Sequence, residues 1–347
     1  MIRFFFILNL ICSLVFVITL IAAGADPSRY WLFSISSLLV PIIIVIHILF
    51  AVFWLLIKWR YAISSILLLI FAIPQLRLMV AFNDSSIEGK CSNSAFTVMS
   101  FNLYGLKNIK IAGDQNQALS IPKFLSFIRQ HNPDILCVQE NNFYADEAIT
   151  KSALYPYTHF DIQHGASIYS RYPIIDKGFV EFGRKTNSCL WADILVDGKK
   201  IRFYSVHLES NRVSKDVETI TDKEDDPERL AIVRRMLRNY KNSSIIRAQQ
   251  TKMILDHAQT AKNPVVIAGD FNDTPFSYVY SLLSEKYKDS FLERGSGFGS
   301  TFVGALPGLR IDFVWGGKKH FEFCFHRVLS TSFSDHNPIL VKLYSRI

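Results

Sequence analysis

The sequence predicts an α/β domain built from two packed sheets with flanking helices, preceded by three transmembrane helices. Three observations carry this. The 347 residues have a mean hydropathy of +0.19, whereas a soluble globular chain of this size would fall below zero. Residues 1–82 hold only six charged side chains (Arg3, Asp26, Arg29, Lys58, Arg60 and Arg77), against 62 in the remaining 265 residues. Beyond residue 95, short apolar runs alternate with turn residues and with helical patterns. Together these exclude a uniformly soluble enzyme, a disordered chain, a collagen-like repeat and a small disulfide scaffold.

The apolar part reads as three spans, about 4–23, 31–57 and 62–82, each long enough at 1.5 Å per residue to cross a bilayer core. The first is longer than a signal-peptide core and is followed by two more, so it reads as retained. The third contains Pro74, Gln75 and Arg77; a re-entrant helix is its alternative. Arg3 before the first span and Lys58 and Arg60 after the second put the amino terminus in the cytoplasm by the positive-inside rule. Three crossings then place the rest outside, the periplasmic side of a bacterial inner membrane. The lipid bilayer is thus an expected partner; no protein partner is predicted.

Residues 83–94 read as a polar linker and 95–347 as one domain. Phe96–Phe101, Asp134–Gln139 and Ala166–Ser170 are strand patterns, and Asn116–His131 has helical spacing. Leu190–Val196 and Lys200–Val206 alternate around Asp197-Gly198, a hairpin signal. Residues 211–262 read as mostly helical. There Leu230, Val233, Leu237 and Tyr240 form one stripe, read as facing the core, and Arg234, Arg238 and Lys241 form another, read as solvated or facing lipid headgroups. Pro264–Ala268, Ile311–Trp315 and Ile339–Leu343 supply further strands. The five cysteines (12, 91, 137, 189 and 324) form no CxxC pair and read as scattered buried thiols. The domain's net charge of +4, half of the chain's +8, suits a phosphate-bearing substrate but does not by itself argue nucleic-acid binding.

The informative polar residues stand where apolar runs end: Asn102, Glu140, His207, Asp270, Asn272, Asp312, Asp335 and His336. Each alone is ordinary turn or cap chemistry. Six strand ends marked in this way, in succession, are hard to obtain from turn chemistry.

Ser100-Phe101-Asn102-Leu103, Val138-Gln139-Glu140, Ile168–Ile174, His207, Gly269-Asp270-Phe271-Asn272, Arg310-Ile311-Asp312 and Ser334-Asp335-His336 resemble the endonuclease/exonuclease/phosphatase superfamily over about residues 95–347. That superfamily includes pancreatic-type deoxyribonucleases, AP endonucleases, inositol polyphosphate 5-phosphatases and neutral sphingomyelinases. The resemblance implies a four-layer α/β sandwich and Mg²⁺-dependent phosphoester cleavage, with Mn²⁺ as a substitute. It implies Glu140, with Asn102 and Asp335, as metal ligands, which suits a hard cation. It implies His336 and Asp312 as a catalytic pair, with His336 either a general base or a stabiliser of the phosphorane, and Asp270 as the rival for activating water. Asn272 and His207 would bind phosphate oxygens, with Arg171 and Arg310 adding positive potential. AP endonucleases carry an acid two positions after the first Asn. Tyr104 stands there in this chain, so neither a second metal nor that specificity is implied. The expected activity is a membrane-anchored, metal-dependent, nuclease-type phosphodiesterase, with nucleic acid or a phospholipid headgroup as the phosphoester substrate. A phospholipid-headgroup phosphodiesterase or phosphatase is the alternative, and a non-catalytic binding module is a third reading, disfavoured by the completeness of the polar set.

Overall fold

A computed structural model describes residues 2–22, 24–83, 91–106, 117–161, 165–183, 187–211, 226–304 and 308–346. Parts of the expected linker (84–90) and of the expected helical region (212–225) lie outside the described residues.

The apolar part comprises α1 (Ile2–Ala22), α2 (Pro27–Ser34), α3 (Ser36–Ile57), α4 (Trp59–Phe71) and α5 (Ile73–Met79). Among the described residues, α1 and the combined α2–α3 segment are each long and apolar enough to cross a membrane, and α4 with α5 forms a third limb bent by 60°. The third span, expected over 62–82 with a re-entrant helix as its alternative, is thus a bent pair of helices. Pro74 sits in the first turn of α5, where its ring cannot continue the preceding helix, and α4 already starts at Trp59. Polar side chains knit the bundle: Ser65 Oγ donates to Asn9 Oδ1 at 3.2 Å, and Ser13 Oγ does likewise. The start of α4 lies against the start of α1 and the end of α3 (Tyr61 to Phe6, 4.5 Å, and to Trp54, 5.1 Å). Its far end, at Ala72, shares a buried cluster with Phe16, Val40, Ile43, Ile44 and Phe276. The third limb thus runs the length of the bundle. Arg3, Lys58 and Arg60 fall at one end and the large domain at the other.

After β1 (Ala81–Phe82), the domain runs β2 (Phe96–Asn102), α6 (Gln117–His131), β3 (Ile135–Gln139), α7 (Phe143–Lys151), β4 (Tyr157–Asp161), β5 (Ala166–Ser170), β6 (Ile174–Phe179), β7 (Ser188–Val196), β8 (Lys199–His207), α8 (Asp226–Gln259), β9 (Val265–Asp270), α9 (Tyr278–Lys286), β10 (Tyr287–Asp289), α10 (Ser290–Arg294), β11 (Ser296–Gly297), β12 (Asp312–Gly317), β13 (Phe321–Val328) and β14 (Ile339–Ser345). Two six-stranded sheets result, ordered β13-β14-β2-β3-β5-β4 and β10-β12-β9-β8-β7-β6. Most neighbours are antiparallel, but β2–β3 and β8–β9 are parallel. The sheets pack through Val98, Ile135, Ile168, Leu190, Phe203, Val266, Val314 and Val341. Met99, Leu136 and Val138 point outward under Phe124 and Ile128 of α6, while Tyr204, Ile267 and Trp315 point outward under Ile254 of α8 and Leu283 of α9. Helix, sheet, sheet, helix: central strands buried on both faces explain the unbroken apolar runs at 135–138 and 265–268. The hairpin at Asp197-Gly198 forms, both residues adopting positive φ (47° and 81°).

Two expectations need correction. Cys91 and Cys324 form a disulfide; they stand 233 residues apart, and sequence spacing carries no trace of such a pairing. Cys137 and Cys189 are indeed buried and free. In α8, Tyr240 is buried, but Leu230, Val233 and Leu237 are 59%, 43% and 41% exposed rather than covered by the core.

Candidate active site

The two parallel pairs position the site. In a parallel pair both strands end at the same edge, so Asn102 and Gln139 pair directly, with Glu140 next, and His207 pairs with Asp270. The antiparallel neighbour β12 begins where β9 ends, placing Asp312 opposite Asp270. β14 begins near the end of β2, which leaves Asp335 and His336 at the same edge. Face-to-face packing then brings both strand ends together: Asn102 Nδ2 of one sheet donates to Asp270 Oδ2 of the other at 2.9 Å, and to Glu140 Oε1 at 3.3 Å.

Local backbone aims each group. Gly269 has φ 153°, and a Cβ there would lie 2.0 Å from the Val206 carbonyl oxygen; only glycine lets β9 approach β8 this closely. Glu140 and Asn272 hold positive φ (49° and 52°), uncommon for side-chain-bearing residues and concentrated at functional sites. Asn141 clamps the Glu140 turn: its Nδ2 donates to Ser167 Oγ (2.6 Å) and Tyr169 OH (2.7 Å). Ser334 Oγ donates to the Asn102 carbonyl (2.7 Å) and accepts from the His336 amide (3.0 Å). Thr301 Oγ1 accepts from the amides of Ile311 (3.1 Å) and Asp312 (3.2 Å). Sequence reasoning gave none of these three a role. Ser334 belongs to a quoted motif and Asn141 adjoins one, a weak signal; Thr301 has none.

The electrostatics are those of a buried anionic cleft. His336 Nδ1 donates to Asp312 Oδ2 at 2.9 Å, and its Nε2 lies 3.8 Å from Asp270 Oδ2. Burial alone would push His336 down, but Asp312, Asp270 and Asp335 overcome it and raise its pKa to about 10. Burial pushes the Asp270 carboxyl upward and Asp312 adds to this, against the pull of His336 and His207. Asp270 Oδ1 accepts from the Asn272 amide at 2.8 Å. Burial raises Asp335 to about 6, over the opposing pull of His336 and with Glu140 adding to the rise. Its buried Oδ1 has no hydrogen-bond partner, nor has His207 Nε2, which lies 3.7 Å from Glu140 Oε1 and 3.9 Å from Asp270 Oδ2. Unpaired buried acceptors and donors facing one cleft are what a cation and a phosphate would satisfy.

Among the described residues, Asp270, Asp312 and His336 form the one group of three His, Cys, Asp or Glu side chains whose ligand atoms lie within 4.8 Å of one another. Within it, His336 Nδ1 and Asp312 Oδ2 are bonded to each other, and a hard cation prefers oxygen. Glu140, which accepts from Asn102, is the more open carboxylate.

Two expected substrate ligands lie elsewhere. Arg171 follows β5 at the opposite end of the sheet, where its amide donates to the Asp134 carbonyl and its guanidinium to Asn132. Arg310 is buried, donating to Asp289 Oδ2 at 2.6 Å and to the Leu78 carbonyl at 3.1 Å, with Phe291 and Phe313 against its face. It ties the domain to the residue after Arg77 rather than facing the cleft. Asn272 Nδ2 is at the site's edge and donates to the Leu208 carbonyl at 3.0 Å.

Residues 99–336 match the Endonuclease/Exonuclease/phosphatase family, and residues 2–79 match a domain of unknown function (DUF8431). No curated protein sequence matches the chain. Among solved structures, humanized D. rerio TDP2 is similar over 72% of this chain and 99% of its own, at 18% identity and a TM-score of 0.55. An endonuclease/exonuclease/phosphatase from Bacteroides vulgatus is similar over 73% and 99%, at 17% and 0.55. The human Nocturnin catalytic domain, with bound sulfate, is similar over 74% and 96%, at 17% and 0.51. At such identities the likeness is one of fold.

Proposed function

The chain belongs to the endonuclease/exonuclease/phosphatase family, and from that premise we propose that it is a membrane-anchored, divalent-metal-dependent phosphodiesterase whose catalytic domain lies outside the cytoplasm. The observation that carries this is the meeting of Asn102, Glu140, His207, Asp270, Asp312 and His336 at one edge of two sheets.

Glu140, Asn102 and Asp335 would hold Mg²⁺ or Mn²⁺, which when bound offsets negative charge on the phosphate. The protein's own groups do the rest. Asp270, held by the Asn272 and Asn102 amides, accepts a proton from the attacking water. The water oxygen forms a bond to phosphorus, the ester P–O bond on the opposite side breaks, and the leaving oxygen takes up a proton. His336, kept cationic by Asp312, and His207 donate to oxygens on which charge grows. Asp312, Asp270 and Asp335 all favour the charged form of the ring, which suits the stabilising role for His336 better than the general-base role.

Two features support the outside location. The basic ends of the spans and the domain lie at opposite ends of the bundle, which the positive-inside rule reads as domain outside. The Cys91–Cys324 disulfide belongs to an oxidising compartment.

The test is turnover by the full chain in detergent, with Mg²⁺ or Mn²⁺, against plasmid DNA, RNA, bis-p-nitrophenyl phosphate and phospholipid. Cleavage that is abolished by a chelator and reduced at least about 100-fold in His336→Ala and Glu140→Ala supports the reading. A well-folded chain that cleaves none of these phosphoesters would remove it.

A further inference from the structure

The first half of α8 carries an amphipathic surface that phosphoester chemistry in the cleft does not use. Its buried side holds Ile232 and Tyr240, and next to that lie the exposed Leu230, Val233 and Leu237. Arg234 and Arg238 follow on the adjoining stripe, with Lys241 in line.

This surface continues the membrane segment. Tyr240 OH donates to the Ser34 carbonyl at 3.0 Å and bonds to Ser37 Oγ at 3.0 Å. Lys241 Nζ stands 4.9 Å from the centre of the Trp31 ring, and Lys252 pairs with Asp26 at 3.0 Å. α8 therefore lies along α2, the domain-side start of the second span, and runs on from Tyr240 for about 21 Å to its own start. The neighbouring Leu32 and Phe33 of α2 are exposed too. Apolar side chains beside bases, extending from a helix at the mouth of two spans, are the pattern of an interfacial helix on a phosphate-bearing bilayer.

The cleft is attached to the same surface. Asp273, three residues beyond Asp270, binds Arg247 of α8 at 3.0 Å, and Arg247 also holds the Glu209 carbonyl (3.1 Å), two residues beyond His207. Phe276 is seated among Phe16, Val40 and Ile43 of the spans. Both catalytic loops of the second sheet thus rest on the elements that meet the membrane.

We propose that the substrate is a phospholipid of the membrane that holds the anchor, brought to the cleft because Leu230, Val233, Leu237, Arg234 and Arg238 hold the domain against that bilayer. This rests on the hydrolase reading above and names its substrate class. Water adds to the lipid phosphorus, one of its two ester P–O bonds breaks, and the leaving alcohol takes the proton, so no further reactant is needed.

The test uses the full chain in vesicles of phosphatidylethanolamine and phosphatidylglycerol with Mg²⁺, following intact lipid by mass spectrometry. Wild type is expected to consume vesicle lipid. Leu230→Ser/Val233→Ser/Leu237→Ser and Arg234→Gln/Arg238→Gln variants are expected to lose at least about tenfold of that rate. Both should keep wild-type hydrolysis of bis-p-nitrophenyl phosphate in detergent, which also certifies folding. A wild type that cleaves the soluble diester or an oligonucleotide while leaving vesicle lipid intact overturns the lipid assignment and spares the hydrolase reading. Variants that consume vesicle lipid as fast as wild type overturn the role of α8. A chain inert toward every phosphoester removes both readings.

Discussion

His336 and Asp312 join two strand ends of different sheets: the imidazole Nδ1 sits 2.9 Å from the carboxylate Oδ2, and both side chains are buried. This contact fixes the ring so that Nε2 points toward Asp270 and Asp335. Asp312→Asn keeps the shape but removes the charge that helps hold His336 near 10. We expect kcat to fall by about 10²–10³-fold with KM little changed. The His336 pKa should fall with it. Steady-state kinetics and an NMR titration of the His336 ring check the two halves separately; an unchanged ring pKa would show that Asp312 acts only by position.

The disulfide gives a stability prediction. Cys91 lies at the start of the domain and Cys324 in β13, 233 residues apart. Closing so long a loop restricts the unfolded chain, so Cys91→Ser/Cys324→Ser should cost about 4 kcal/mol of unfolding free energy. Denaturant unfolding with and without reductant checks this: wild type should become as labile as the double variant once reduced, and the variant should not respond to reductant.

How much of this was legible in the chain depends on what each signal reports. Asn102, Glu140, His207 and Asp270 stand out because each closes a run of apolar residues, and a doubly buried strand must end in something polar. That they meet follows from two parallel pairings, β2–β3 and β8–β9, which the family motifs imply but the local pattern does not. Arg171 and Arg310 were misplaced because an arginine beside a motif can face any neighbour, and Asp289, the partner of Arg310, lies in a segment without chemical signature. The stripe on α8 shows the same gap. Periodicity reports which residues share a helix face, not what covers that face, so Leu230 and Tyr240 looked alike and meet opposite fates. In the third span Pro74 marks the break that hydropathy alone does not register.

Asp193 makes stability depend on pH. It is buried on β7 and paired with Arg202 of β8 at 2.7 Å and with Lys200 at 3.2 Å. Burial alone would raise its pKa, but these cations overcome it and the pKa is lowered. A carboxylate with a depressed folded pKa contributes stability above its unfolded value of about 3.9 and loses that contribution as pH falls through the folded value. Asp193→Asn should therefore lower the melting temperature by several degrees at pH 7, about 2 kcal/mol, since Arg202 loses its charged acceptor. The gap between wild type and variant should close as pH drops below about 4. Calorimetry across pH checks this; a gap independent of pH would mean that the loss is one of shape rather than charge.

The two arginines first expected at the substrate separate structure from chemistry. Arg171 is at the far end of β5 from Glu140, its amide bonded to Asp134. Arg171→Ala should leave kcat/KM for a soluble diester within about twofold of wild type, because a charge so distant is screened by salt. Arg310 is buried against Asp289, Phe291 and Phe313 and also donates to the Leu78 carbonyl of the third limb. Arg310→Ala leaves Asp289 buried without its cation, a loss of about 3–5 kcal/mol, and cuts the link from the anchor to the start of β12. We expect a sharply lowered unfolding midpoint and greater protease sensitivity near Leu78, with near-normal KM in the fraction that stays folded. Arg310→Lys should restore part of the stability, because an ammonium still reaches Asp289 but cannot also bridge to Leu78. A large rise in KM with unchanged stability would return Arg310 to the substrate's side of the domain.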